Sequence, residues 1–167
     1  MSTVITRERP DSPDAVALIG ELDAVLQPLY PSESRHGFSV AKLLAEDVAF
    51  FVIRHDAVPA GCGGVQLVGA EYAEVKRMYV RPEFRGLGLG KSLLEHLAEH
   101  VRLRGITLLR LETGIHQHAA IALYERAGFR SIPPFGPYRP DPLSVCLEKH
   151  IGEGCWRATA SGRAARC

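Results

Sequence analysis

A mixed α/β sheet with helices packed on both faces, in the order βααβββαβαββ, is the fold class that this sequence predicts. Two amphipathic stretches carry apolar residues at mostly 3.6-residue spacing, one from Val16 to Leu29 and one from Leu89 to Val101. Short runs of branched and aromatic residues bounded by turn signals alternate with them, and a strand, a glycine turn and a helix follow without a break from Tyr72 to Glu99. Two separate apolar helix faces, each linked to strands, are both buried if a central sheet is covered on its two sides.

Taken in order, residues 3 to 7 form an opening strand, and Ser12 followed by Pro13 starts the first helix, which Pro28 and Pro31 stop. The connection LYPSESRHGFSV leads to a short helix over 39–46. Ala49 to Arg54 and Ala57 to Val68 read as strands joined at His55-Asp56, and Tyr72 to Val80 is the central strand. The long helix from Leu89 ends near Arg104, with Gly105 as its cap. Thr107 to Glu112 is the next strand, residues 118 to 127 a helix closed at Gly128, and Phe129–Ile132 and Leu143–Glu148 the last strand pair. The proline-rich stretch between those two strands, 133 to 142, suits a stiff lid or wall. Residues 1–149 make one domain, and 150–167 read as a flexible appended tail, with packing of Trp156 on the surface or a partner as the second reading.

At 167 residues the chain is long enough for one substantial core. A net charge of +1 makes no electrostatic case for nucleic acid, no apolar run has the length of a membrane helix, and the N-terminus has no signal-like core. The expectation is a cytoplasmic protein that binds neither nucleic acid nor membrane, with a homodimer left open. Cys62, Cys146, Cys155 and Cys167 form no CxxC pair and no metal spacing, so no metal is expected.

The glycine turn carries the chemistry. Gly86, Gly88 and Gly90 let backbone N–H groups and the first turn of the following helix converge on phosphate oxygens. A nucleoside triphosphate loop needs one more residue between its glycines, and a dinucleotide fingerprint needs GxGxxG where this chain has GxGxG. The pattern Arg85-x-x-Gly88-x-Gly90 after a strand ending at Val80, with AAIALYERAGF at 119 to 129 following, closely resembles the GCN5-related N-acetyltransferases (GNAT), among them a group of bacterial small-molecule enzymes. The likeness spans roughly residues 3 to 149.

That resemblance implies acetyl-CoA as acyl donor and transfer of its acetyl group to the primary amine of a small, amino acid-like metabolite, by direct attack through a tetrahedral intermediate. It implies that Met78 and Val80 present main-chain groups to the pantetheine arm, with the Val80 N–H as an oxyanion donor, and that the backbone of Arg85, Gly86, Leu87, Gly88, Leu89, Gly90 and Lys91 receives the pyrophosphate. Tyr124 matches the tyrosine that points at the coenzyme A sulfur, and Gln117 stands where the family often has Asn. Arg81, Lys91 and Arg126 are candidates for the ribose phosphate. For the proton acceptor, Glu74 is preferred over Glu112; both lie on strands near the mouth of the cleft.

The acceptor site is read from two restricted stretches. Glu33, Arg35 and His36 in the first connection, and Phe135, Tyr138 and Arg139 in the proline-rich turn, offer aromatic walls, an amine acceptor and cations for a carboxylate. Protein or peptide acetylation is the minor branch, and a coenzyme A-binding module without turnover the alternative of another class.

Overall fold

The computed structural model describes residues 1–152 and two further dipeptides, Arg157–Ala158 and Ala164–Ala165, which pair antiparallel. Trp156, Cys155 and Cys167, on which the tail reading rests, lie outside the described residues. The elements are β1 (Thr3–Arg7), α1 (Pro13–Leu26), α2 (Val40–Ala45), β2 (Ala49–His55), β3 (Val58–Val68), β4 (Tyr72–Val80), α3 (Leu89–Arg102), β5 (Leu108–Gly114), α4 (His118–Arg126), β6 (Arg130–Ile132) and β7 (Ser144–His150). This is the order the sequence predicts. The last strand runs two residues further than expected because Lys149 and His150 pair with Leu109 and Leu108.

The strands form one seven-stranded sheet in the order β1-β2-β3-β4-β5-β7-β6. All neighbours are antiparallel except β4 and β5, which pair in parallel only at Ala73–Leu109 and Glu74–Arg110. Beyond that register the two strands are no longer paired, so a wedge opens between the second half of β4 and the end of β5.

A bulge decides which way β4 points its side chains. Cys62 pairs with Tyr79 but Gly64 with Lys76, so Arg77 and Met78 together oppose the single residue Gly63. Arg77 takes φ +56 there. Before the bulge Ala73 and Val75 pack with α3 and β5; after it the alternation is reversed, and Tyr79 joins Leu18, Ile19 and Leu22 of α1. Two main cores result, the larger under α3 and α4 and the smaller under α1 and α2, with a third, small cluster of Tyr72, Phe135 and Cys146 beside them. Period-two reading from Tyr72 would have put Tyr79 on the opposite face.

Polar ties lock α1 to the sheet. Arg54 of β2 donates to Glu8 and to Asp14 at 2.6 Å each. Arg81, just after β4, makes bonds of 2.7–3.1 Å to both oxygens of Glu21 on α1 and a 2.8 Å bond to Pro59 O. Buried Arg77 reaches Ile19 O and Asp23.

Candidate active site

Helix starts along the chain are treated in two ways. Ser12 and Ser39 accept backbone N–H groups at the heads of α1 and α2. At the head of α3 stands Gly88, left-handed at φ +75, which offers no side chain. The first helical bond there runs from Ser92 N–H to Gly88 O at 3.1 Å, so the N–H groups of Leu89, Gly90 and Lys91 have no partner within the helix. They border a cleft of about 1010 Å³, which is also lined by Met78, Val80, Arg85, Gly86, Gly88, Gln117, Ala120, Leu123 and Tyr124. Unpartnered N–H groups at a helix positive end, facing a cleft of that size, fit the pyrophosphate of coenzyme A.

Some assignments in this track change. Leu87 does not line the cleft and turns out to solvent, 51 % exposed, so only its backbone is available to the loop. The Arg85 Nε–H holds the Val80 carbonyl at 3.1 Å, fixing the exit of β4. Gly90 serves packing as well as the cradle: a Cβ there would lie 3.0 Å from Leu123 Cδ2, on α4. Arg81 is committed to Glu21 and is not among the lining residues, whereas Lys91 and Arg126 are, and Lys149 joins them from β7.

A second, smaller cavity of about 110 Å³ lies in the wedge between β4 and β5. It shares Leu22, Met78, Gln117, Ala120 and Tyr124 with the large cleft, so Tyr124 stands in the wall between the two spaces. The Tyr124 hydroxyl makes no hydrogen bond among the described residues; burial and the Glu112 charge raise its pKa above the ordinary phenol value, which keeps its proton in place at neutral pH.

The carboxylates of the small cavity have different surroundings. Glu74 Oε1 lies 3.0 Å from Lys76 Nζ and accepts the Tyr138 hydroxyl. Lys76 Nζ also donates to the Tyr138 hydroxyl at 2.8 Å and sits 4.0 Å above the Phe38 ring, so this ion pair is closed on itself. Glu112 has no ion-pair partner among the described residues. It accepts the Ser144 hydroxyl at 2.6 Å through Oε1, and burial raises its pKa above the usual carboxylate range.

The cavity roof joins the two stretches expected to wall it. Ser34 Oγ donates to Asp141 at 2.6 Å, and the His36 ring meets the Tyr138 ring edge-on at 5.2 Å. Arg35, His36 and Tyr138 line the cavity. Three expected acceptor residues do not. Glu33 is exposed in the 3-10 turn Ser32–Ser34, and Arg139 is exposed. Phe135 is buried against Tyr72 and Tyr138 on the far side of the turn, under the Arg110 guanidinium, so it supports Tyr138 from behind. Ser144, which holds Glu112, was not read from the sequence, because only the β5–β7 register, with Glu112 opposite Cys146, brings it near. Among the described residues no cluster of three or more His, Cys, Asp or Glu could hold a metal ion, and no helix is long and apolar enough to cross a membrane.

Comparisons with known proteins agree with this geometry. The sequence model of the Acetyltransferase (GNAT) family matches residues 19–129. A protein of Azospirillum brasilense named IAA acetyltransferase is 44% identical over 151 residues, covering 90% of this chain and 99% of its own. The [Ribosomal protein bS18]-alanine N-acetyltransferase of Escherichia coli is 48% identical over 74 residues, 41% of this chain and 50% of its own. Among solved structures, a provisionally named acyl-CoA N-acyltransferase from Klebsiella pneumoniae subsp. pneumoniae superposes with a TM-score of 0.76 at 40% identity, covering 89% of this chain and 97% of that one. The fold is also that of a PaiA N-acetyltransferase from Thermoplasma acidophilum in complex with coenzyme A, with a TM-score of 0.71 at 21% identity and coverage of 90% and 99%. A wedge between β4 and β5, a helix head left open for phosphates and these matches together show that the chain belongs to the GNAT family and is an acetyl-CoA-dependent transferase of the acetyl group to an amine.

Proposed function

We propose that the acceptor is a small amine carrying a carboxylate, such as a free amino acid, and that Glu112 takes its proton. The observation that carries this reading is the cavity itself: about 110 Å³, roofed by the Ser34–Asp141 bond and the His36–Tyr138 contact, with Glu112 inside and Arg35 at its lining. A space of that size suits a compact molecule better than an extended peptide.

Acetyl-CoA supplies the acetyl group as a thioester. Within the chain, Glu112 is the better base than Glu74, since Glu74 already balances Lys76 while Glu112 has a pKa moved by burial toward neutrality. A raised pKa makes the carboxylate a stronger proton acceptor from the substrate ammonium. Tyr124, protonated and in the dividing wall, returns a proton to the leaving thiolate side, and the Val80 N–H is the oxyanion donor that the family resemblance implies. Arg35 pairs with the acceptor carboxylate. This chemistry goes with a cytoplasmic setting, in keeping with the free thiols of Cys62 and Cys146.

The test is an acetyl-CoA assay over free amino acids, polyamines, aminoglycosides, aryl amines and short peptides, with product mass measured. The expected result is acetylated small carboxylate-bearing amines, with selectivity for the carboxylate lost in Arg35→Ala. Preference for peptides or polyamines would overturn the acceptor reading, and coenzyme A binding without any product would point to a binding module.

A further inference from the structure

Tyr30 lies outside every role assigned so far, yet it is buried, lines the small cavity and ties the end of the α1 region to the head of α4. It ends the α1 region, and its ring lies across the end of β5: a Cβ at Gly114 would fall 2.1 Å from the ring, so only glycine admits it there. The ring also stacks on His116 at 5.6 Å. Its hydroxyl accepts the His116 backbone N–H at 2.9 Å and donates to Gln117 Oε1 at 3.3 Å.

The direction of this relay follows from what each group is able to do. A backbone N–H only donates, so the Tyr30 oxygen must accept it. The hydroxyl has one proton, and it goes to Gln117 Oε1, the amide atom that faces it at 3.3 Å. The Gln117 amide nitrogen, with both its protons, is then directed away from Tyr30. Gln117 is the N-cap position of α4, makes no side-chain cap bond there, and lines both the small cavity and the large cleft.

We infer that Tyr30 is a positioning residue for the acyl donor: it sets the rotamer and the O/N orientation of the Gln117 amide, so that the amide N–H groups face the cleft as donors to the carbonyl groups of the pantetheine arm. The inference rests on acetyl-CoA as donor and is independent of which amine is acetylated. It also accounts for the longer amide at 117. A Gln side chain reaches back to the Tyr30 hydroxyl and is held, whereas unheld it would lose rotamer freedom on binding.

Calorimetric titration of the full chain with coenzyme A tests this without any turnover. Tyr30→Phe and Gln117→Ala are each expected to weaken coenzyme A binding by about 3- to 10-fold, the worth of roughly one neutral hydrogen bond. The double variant should bind no more weakly than Gln117→Ala alone, because Tyr30 acts through Gln117. Wild-type affinity in a folded Tyr30→Phe, or losses that multiply in the double variant, would overturn the inference and leave Tyr30 a packing residue. Should Tyr30→Phe not fold, Gln117→Glu decides: it still accepts from Tyr30 but has no N–H to give, so it should bind at least as weakly as Gln117→Ala. Full affinity in Gln117→Glu would equally overturn the inference.

Discussion

Lys76 and Glu74, two residues apart on β4 and therefore on the same face, form an ion pair of 3.0 Å whose side chains are only 6 % and 5 % exposed. Such a pair is expensive to open from one side. Replacing Glu74 by Ala strands the Lys76 ammonium in the cavity wall and should lower unfolding stability by about 3–5 kcal/mol, while the joint change Glu74→Leu with Lys76→Met should recover most of it. Urea denaturation of the three proteins measures this. Equal stability of Glu74→Ala and wild type would mean that the pair is solvated and that Glu74 is free for proton transfer.

The pH profile separates the proposed roles of Glu112 as base and Tyr124 as acid. A base acts only when deprotonated, so turnover should rise with pH through a limb above the ordinary carboxylate range, as the raised pKa of Glu112 requires. Glu112→Gln should remove that limb and cut kcat by about 10²- to 10⁴-fold with little change in KM. Glu74→Gln, if it folds, should keep the limb. The reverse pattern would restore the assignment that the sequence alone favours.

Tyr124→Phe keeps the ring, which packs near Phe129, and removes a hydroxyl that has no hydrogen-bond partner among the described residues. Stability should therefore be unchanged within about 0.5 kcal/mol. A fall of about 10²-fold in kcat with unchanged coenzyme A affinity is expected for loss of a general acid. Full turnover across pH in this variant would reduce Tyr124 to a wall residue.

The parts legible in the sequence are those in which chemistry and local backbone coincide. Gly88 marks a helix head without a cap, and Tyr124 falls inside a contiguous motif, so both could be placed from neighbours in the chain. The periodicity of Leu93, Leu94, Leu97 and Val101 likewise shows the face that α3 buries. What could not be read depends on register between distant segments. The bulge at Arg77 and Met78 reverses β4, the β5–β7 pairing brings Ser144 to Glu112, and the turn after β6 buries Phe135 while leaving Arg139 outside. None of these leaves a periodic mark, because each is decided by which strand lies alongside.

Gly88 allows the phosphate track to be tested apart from packing. A Cβ there meets no heavy atom within 4 Å, so the protein has room for it, but φ +75 is left-handed. Gly88→Ala should cost about 1–2 kcal/mol of stability and still fold. Its methyl would stand at the mouth of the N–H cradle, and coenzyme A affinity should fall by about ten- to hundredfold, the worth of one charge-assisted hydrogen bond. Undiminished binding by the folded variant would show that the phosphates lie elsewhere.

Stability itself should depend on pH through His100, on α3 beneath the Phe51 ring at 5.3 Å. Burial, with the charges of Arg104, Arg7 and His96, pushes its pKa down to about 4 from an ordinary value of 6.5. The unfolded chain therefore takes up a proton near pH 6.5 that the folded protein does not accept until about 4. The stabilising contribution of neutral His100 is complete above the first value and is lost progressively toward the second. Glu8 acts in a lower window: the Arg54 hydrogen bond holds its pKa below the ordinary carboxylate value, so its contribution is present above about 4.5 and is lost only at more acid pH. Melting temperature followed from pH 8 to 4 should thus begin to fall near 6.5, before Glu8 titrates. In His100→Phe, which keeps an aromatic ring against Phe51 and has nothing to protonate, the fall between 6.5 and 4.5 should be shallower than in wild type. Parallel curves for the two proteins in that window would show that His100 is hydrated in the fold and titrates as it does in the unfolded chain.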